Sequence, residues 1–163
     1  MSAARALEAF TKICDKNVVD MIIASVATVL NSDNPNHQQA TVILFSTICE
    51  YPDRNYTREM FQTGFQHFFA LLNSQHKVVV KNSMIGFIRL AESLPEVFLN
   101  HPNIAEIVTT IMGFVNVEIQ EIRYIAIQIL ANMSEGLKEN PAPVSEDPNI
   151  LLTKIVGYYA ENM

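Results

Sequence analysis

The sequence predicts an all-α fold, a solenoid of stacked antiparallel helix pairs. Three observations predict it. Apolar residues recur at helical spacing, the helix pattern itself recurs at a fixed period, and glycine is scarce, with five in 163 residues. No run alternates cleanly with period two, so no strand is expected.

The period appears first in four segments that end alike: Ile13-Cys14-Asp15, Ile48-Cys49-Glu50, Leu90-Ala91-Glu92 and Met133-Ser134-Glu135. Their acids stand 35, 42 and 43 residues apart. Five positions before each acid lie Phe10, Phe45, Phe87 and Leu130, and eight before lie Leu7, Val42, Met84 and Ile127. Nine before are the smaller Ala6, Thr41, Ser83 and Ala126. Offsets of two, five, eight and nine share one helical face.

A second helix family falls between these. Val19, Ile23, Val26 and Leu30 match Phe61, Phe65, Phe68 and Leu72, then Ile104, Val108, Ile111 and Val115. The spacing of four, three and four is an amphipathic stripe, and the steps are again 42 and 43 residues. These helices close on Asn31, Asn73 and Asn116 and are called A helices; those closing on an acid are B helices. The phenylalanines Phe61, Phe65, Phe68 and Phe69 are expected in the core, because the stripe they continue is aliphatic in the sister repeats.

Asn34-Pro35, Tyr51-Pro52-Asp53, Leu94-Pro95 and His101-Pro102 punctuate the pattern where proline starts or stops a helix. The expected helices are about 3–15, 17–31, 37–50, 57–73, 77–94, 103–116, 118–135 and 149–162. A two-helix repeat of about 40–47 residues is the HEAT or armadillo class. The chain then reads as one array over 1–163: a lone B helix at 3–15, repeats at about 17–50, 55–94 and 103–135, and a final A helix at 149–162. Between the last two, 137–148 carries three prolines and three acids in twelve residues and is expected as an exposed loop. The final helix has little polar cover on Ile150, Leu151, Leu152, Ile155, Val156, Tyr158 and Tyr159, so a piece of a longer solenoid is expected.

A formal charge of −6 and a pI near 5.1 argue against nucleic acid and anionic membrane, which need clustered Lys and Arg. No apolar run reaches the roughly 18 residues of a membrane span, and Met1–Lys16 lacks a signal-peptide core. Cys14 and Cys49 have no metal-ligand spacing and suit a reducing compartment. They share a core-edge column with Ala91 and Ser134, which reads as small buried residues, not nucleophiles. His37, His67, His76 and His101 form no paired ligand motif, and no glycine-rich phosphate loop occurs. No enzyme, metal or cofactor is expected; the chain should work by binding.

Three surface columns are candidates for that binding. Asp15, Glu50, Glu92 and Glu135 lie roughly 140° from the apolar centre of the B helices; they read either as an acidic ladder for a basic segment or as solvated helix ends. Ile43, Ile85, Ile88 and Ile122 fall near the non-core side, as a helix-binding groove or as packing between repeats. On the A helices Thr28, Ala70 and Gly113 occupy one outward column, with Ser25, His67 and Thr110 beside it. Small residues there leave slots for a partner's phenylalanines, or a featureless surface.

Several segments carry a family resemblance over nearly the whole chain, about 3–162. Asn34-Pro35 precedes a B helix ending Thr47-Ile48-Cys49-Glu50. Val78-Val79-Val80-Lys81 opens another that closes Ala91-Glu92-Ser93-Leu94-Pro95-Glu96. Met133-Ser134-Glu135 is followed by the acidic, proline-bearing insertion. In this order of features the chain resembles the middle repeats of the importin-β (karyopherin-β) family. That resemblance implies a nuclear transport receptor. Its concave face of B helices would hold cargo or an adaptor's basic helix, and Phe-Gly nucleoporins would enter between outer A helices near Thr28, Ala70 and Gly113. The full-length chain would bind Ran-GTP, act as a monomer, and move between cytoplasm and nucleus through the nuclear pore. The family grips the adaptor helix with tryptophans; this chain has no Trp, and the matching positions are Ile85 or Gly86, and Gln128. On the repeat pattern alone, a phosphatase scaffold, vesicle-coat adaptor or chromosome-organising subunit remains the alternative.

Overall fold

The computed structural model describes Ala9, Ile13, Asp15–Glu139 and Gly157; the side chains of Phe98 and of 137–139 are not described. Its helices are α1 (Lys16–Ala27), α2 (Pro35–Ile48), α3 (Arg54–Ala70), α4 (Lys77–Ser93), α5 (Pro95–Leu99), α6 (Ile104–Gly113) and α7 (Gln120–Glu139). Single 3₁₀ turns, Leu71–Asn73 and Phe114–Asn116, extend α3 and α6, and no strand occurs among the described residues. So α1, α3 and α6 are the A helices, and α2, α4 and α7 the B helices. The expected helices at 3–15 and 149–162 lie outside the described residues, apart from the helical Ala9, Ile13 and Gly157.

Local chemistry sets the starts. Asp15, Asn34 and Asp53 are N-caps whose carboxylate or amide oxygens accept from Val18, Asn36, and both Asn55 and Tyr56 N–H groups. Pro35 takes the first turn of α2, where its missing N–H costs nothing. Asp15 was expected to end a B helix; its extended backbone instead opens α1.

Two further expectations need correction. The stretch after Leu94 was read as a connection, yet Pro95–Leu99 is the helix α5. Residues 137–139 of the expected loop are instead the end of α7; the remainder, 140–148, lies outside the described residues. Leu137-Lys138-Glu139 are all good helix formers, and the first proline comes only at Pro141.

The chain divides into two compact units, 1–89 and 90–163, with the division inside α4. In the first, rings from α2, α3 and α4 form the core. Phe68 stacks on Phe87 at 4.4 Å and on Phe45 at 5.1 Å, and Phe61 and Phe65 are fully buried. Glycine makes room for these rings: a Cβ on Gly64 would lie 2.6 Å from Phe45, and one on Gly86 2.6 Å from Phe68. A satellite of Val19, Tyr51 and Tyr56 ties α1 to α3, with Ile23 and Met60 against it. There the Tyr56 hydroxyl donates to Asp20 Oδ1 at 2.6 Å and Lys16 Nζ sits 5.0 Å over the Tyr56 ring.

In the second unit the core is aliphatic: Ile104, Ile107, Val108 and Ile111 of α6 against Ile125, Ile129, Leu130 and Met133 of α7. Here the expected register of α7 is off. Ile122, placed on the outer side, is buried, while Ile127, placed in the core, is 40% exposed. The line Ile122–Ile129–Gly136 is turned inward instead. At Gly136 the cover is α5, for a Cβ there would meet Pro95 at 3.0 Å and Leu99 at 3.4 Å.

Candidate functional site

Two members of the acid column, Glu50 and Glu92, contact a neighbouring B helix. In the first unit Glu50 Oε1 meets Arg89 Nη1 at 3.4 Å, linking α2's end to α4. In the second, Asn132 Nδ2 donates to Glu92 Oε1 at 3.3 Å. The two contacts share one rule: Arg89 lies three residues before Glu92, and Asn132 three before Glu135. Each acid therefore reaches the B helix of the next repeat at an equivalent position. Asp15 caps α1. Glu135 is exposed, but one turn inside α7, not at the helix end.

The isoleucine column is mixed. In the first unit Ile43 and Ile88 are half-buried and Ile85 is 36% exposed. Gly86 faces Ser46 and Phe68 in the core, so of the two candidate grip positions only Ile85 reaches solvent. In the second unit Gln128 is half-buried, and next to it on α7 Ile127 and Tyr124 are exposed, Tyr124 at 66%. The sequence reading missed this pair. Its repeat alignment assigned Ile127 inward and gave Tyr124, which matches Lys81 at a step of 43, no role.

On the A helices Thr28, Ala70 and Gly113 are all exposed. The Thr28 hydroxyl is spent on its own helix, donating to the Ser25 carbonyl at 2.8 Å. A Cβ on Gly113 would meet nothing within 4 Å. Ala70 lines a groove of about 560 Å³ within the first unit, between the turn after α1 and the turn after α3. Leu30, Ala70 and Leu71 are its apolar lining. Gln38 spans the two turns: its Nε2 donates to the Ser32 carbonyl at 3.2 Å, and its Oε1 accepts from Ser74 Oγ at 2.6 Å.

Titration behaviour follows burial. Burial pushes the Cys49 thiol far up, against the opposing pull of Arg89, so it stays protonated and poorly nucleophilic. Burial, then the hydrogen bond to Asp20 and its charge, raise Tyr56. Burial lowers His101, Glu106 opposing, and its Nδ1 accepts from the Asn103 N–H at 3.1 Å as a neutral ring can. Among the described residues no three His, Cys, Asp or Glu come together to hold a metal, and no helix is long and apolar enough to cross a membrane.

No family model matches the chain, and no curated protein does. Solved structures do. One is a chain of the complex in which Kap95p binding induces the switch loops of RanGDP to adopt the GTP-bound conformation. It is 19% identical with a TM-score of 0.75, over 85% of this chain and 16% of that one. Another is an engineered protein, 17% identical with a TM-score of 0.60, over 96% of this chain and 72% of that one. At such identities the likeness speaks for the fold alone. With the helices above, it shows an all-α solenoid of HEAT-like repeats.

Proposed function

We propose that this chain is part of a nuclear transport receptor of the importin-β kind and works by binding proteins, without catalysis or cofactor. What supports this is the shared fold with a chain of the Kap95p–RanGDP complex, taken together with the order of repeat-ending segments in the sequence. In this reading Phe-Gly segments dock on the A helices at Thr28, Ala70 and Gly113. Cargo or an adaptor's basic helix lies along the B helices, near Ile85, Gln128 and the acids, and the full-length protein meets Ran-GTP. The protein then works in cytoplasm and nucleus.

A ring laid on Ala70 finds Leu30 and Leu71 as apolar neighbours. Burying it yields only about 1.5–3 kcal/mol before association costs, so one site binds weakly and repetition supplies avidity. The test is an NMR titration with a Phe-Gly peptide against a Ser-Gly control. Shifts near Thr28, Ala70 and Gly113 with the first peptide alone, lost in folded Ala70→Trp, are expected. Equal shifts with both peptides refute the reading. Two observations favour a scaffold of another complex: Glu50 and Glu92 are engaged between repeats, and no Trp is present to grip a helix. That reading expects no Phe-Gly binding at all.

A further inference from the structure

The asparagines in the turns that follow successive A helices have no part in the proposal above. Asn31 and Asn73 stand 42 residues apart, and both line the groove of the first unit. Asp33, His67, Gln75 and His76 line it with them. The side chains of Asn31, Asp33, Asn73 and Gln75 make no hydrogen bond or ion pair with any described residue. Ser32, Gln38 and Ser74, in the same lining, are by contrast committed to joining the two turns.

The chemistry of the uncommitted groups is selective. A primary amide offers a donor and an acceptor side by side, the complement of a peptide unit. Three such amides along one groove suit an extended chain whose backbone is otherwise unpaired. Asp33 is the one acidic residue in the lining, which holds no Lys or Arg, and a carboxylate pairs best with a guanidinium or ammonium. The last turn of α3 enters the lining through His67 and Ala70, bringing the negative end of a helix dipole. The groove, at about 560 Å³, has the size of sites that enclose small ligands, about 300–1,000 Å³.

We propose that this groove binds an extended peptide segment bearing a lysine or arginine: Asn31, Asn73 and Gln75 bond its backbone, and Asp33 pairs with its basic side chain. The groove shares Leu30, Ala70 and Leu71 with the Phe-Gly docking above, but the probe carries no aromatic ring, so the two are tested apart.

The experiment uses the whole isotopically labelled chain and two capped peptides, Gly-Ser-Arg-Ser-Gly and Gly-Ser-Glu-Ser-Gly, followed by NMR. The arginine peptide should shift amides at 31–33 and 73–76 and bind about tenfold more tightly than the glutamate peptide, a difference of about 1.4 kcal/mol. Asp33→Asn should erase that preference. Asn73→Leu should weaken the arginine peptide several-fold and keep the preference. These side chains are solvent-facing, and circular dichroism checks that each variant folds; were one to unfold, the two-peptide comparison on the unmodified chain decides alone. No shift at 31–33 and 73–76, or equal response to both peptides, or full binding in both variants overturns the proposal.

Discussion

The two units fill the same repeat with different side chains. Phe68 of α3 and Ile111 of α6 occupy one column, 43 residues apart. In the first unit the ring lies between Phe45 and Phe87, nearly parallel to both, at 18° and 2°. In the second, the described core around Ile111 is aliphatic. Rings of this size fit only because neighbours shrink: Gly64 and Gly86 remove the Cβ atoms that would strike Phe45 and Phe68. In the aliphatic unit it is Gly136 that makes room, where α5 comes close to α7. A repeat therefore conserves the volume between its helices, not the residue type, and a large side chain in one helix implies a missing one in its neighbour.

The largest effect should come from the stacked ring. Phe68→Ala is expected to destabilise by about 3–5 kcal/mol, and Ile111→Ala by less, because the ring loses two aromatic partners as well as buried area. Urea denaturation midpoints measure both; equal costs would mean that the stack contributes nothing beyond area.

Next come the glycines, where opposite signs are expected. Gly86→Ala should destabilise by about 1–3 kcal/mol, since its methyl must displace Ser46 Oγ, 2.5 Å away, and Phe68. Gly113→Ala has open space and helical backbone, so it should stabilise by about 0.4–1 kcal/mol through the unfolded chain's lost freedom. Thermal unfolding of the two variants side by side is the measurement. A stable Gly86→Ala protein would break the volume argument.

The smallest effect concerns the contacts between B helices. Glu50–Arg89 is a partly exposed ion pair, and a double-mutant cycle should give under about 1 kcal/mol, declining with added salt. The Glu92–Asn132 contact has only one formal charge and should respond less to salt. A salt response equal at both would show that charge pairing is not what distinguishes them.

Much of the fold was legible because helical periodicity is a property of a single chain. The columns Thr41, Ser83, Ala126 and Phe45, Phe87, Leu130 are buried as the offsets required, and the four phenylalanines of α3 are in the core. The candidate site was less legible, since a surface residue's role depends on what faces it across space. The acids could be aligned by eye, but their partners Arg89 and Asn132 lie 39 and 40 residues away. The groove beside Ala70 is assembled from two turns that no local pattern brings together.

The chain by itself determined where helices begin, through Asp15, Asn34-Pro35 and Asp53, and which stripe of each must be dry, through a spacing near 3.6. Caps and stripes act within a few residues, so sequence alone carries them. Only the tertiary structure decided how far each stripe is rotated. On α7, Ile122 and Ile127 are equally apolar, and nothing local ranks them. Ile122 is dry and Ile127 wet because packing turns the line Ile122–Ile129–Gly136 inward; at its far end α5, a five-residue helix in a stretch read as a connection, sits where Gly136 leaves room.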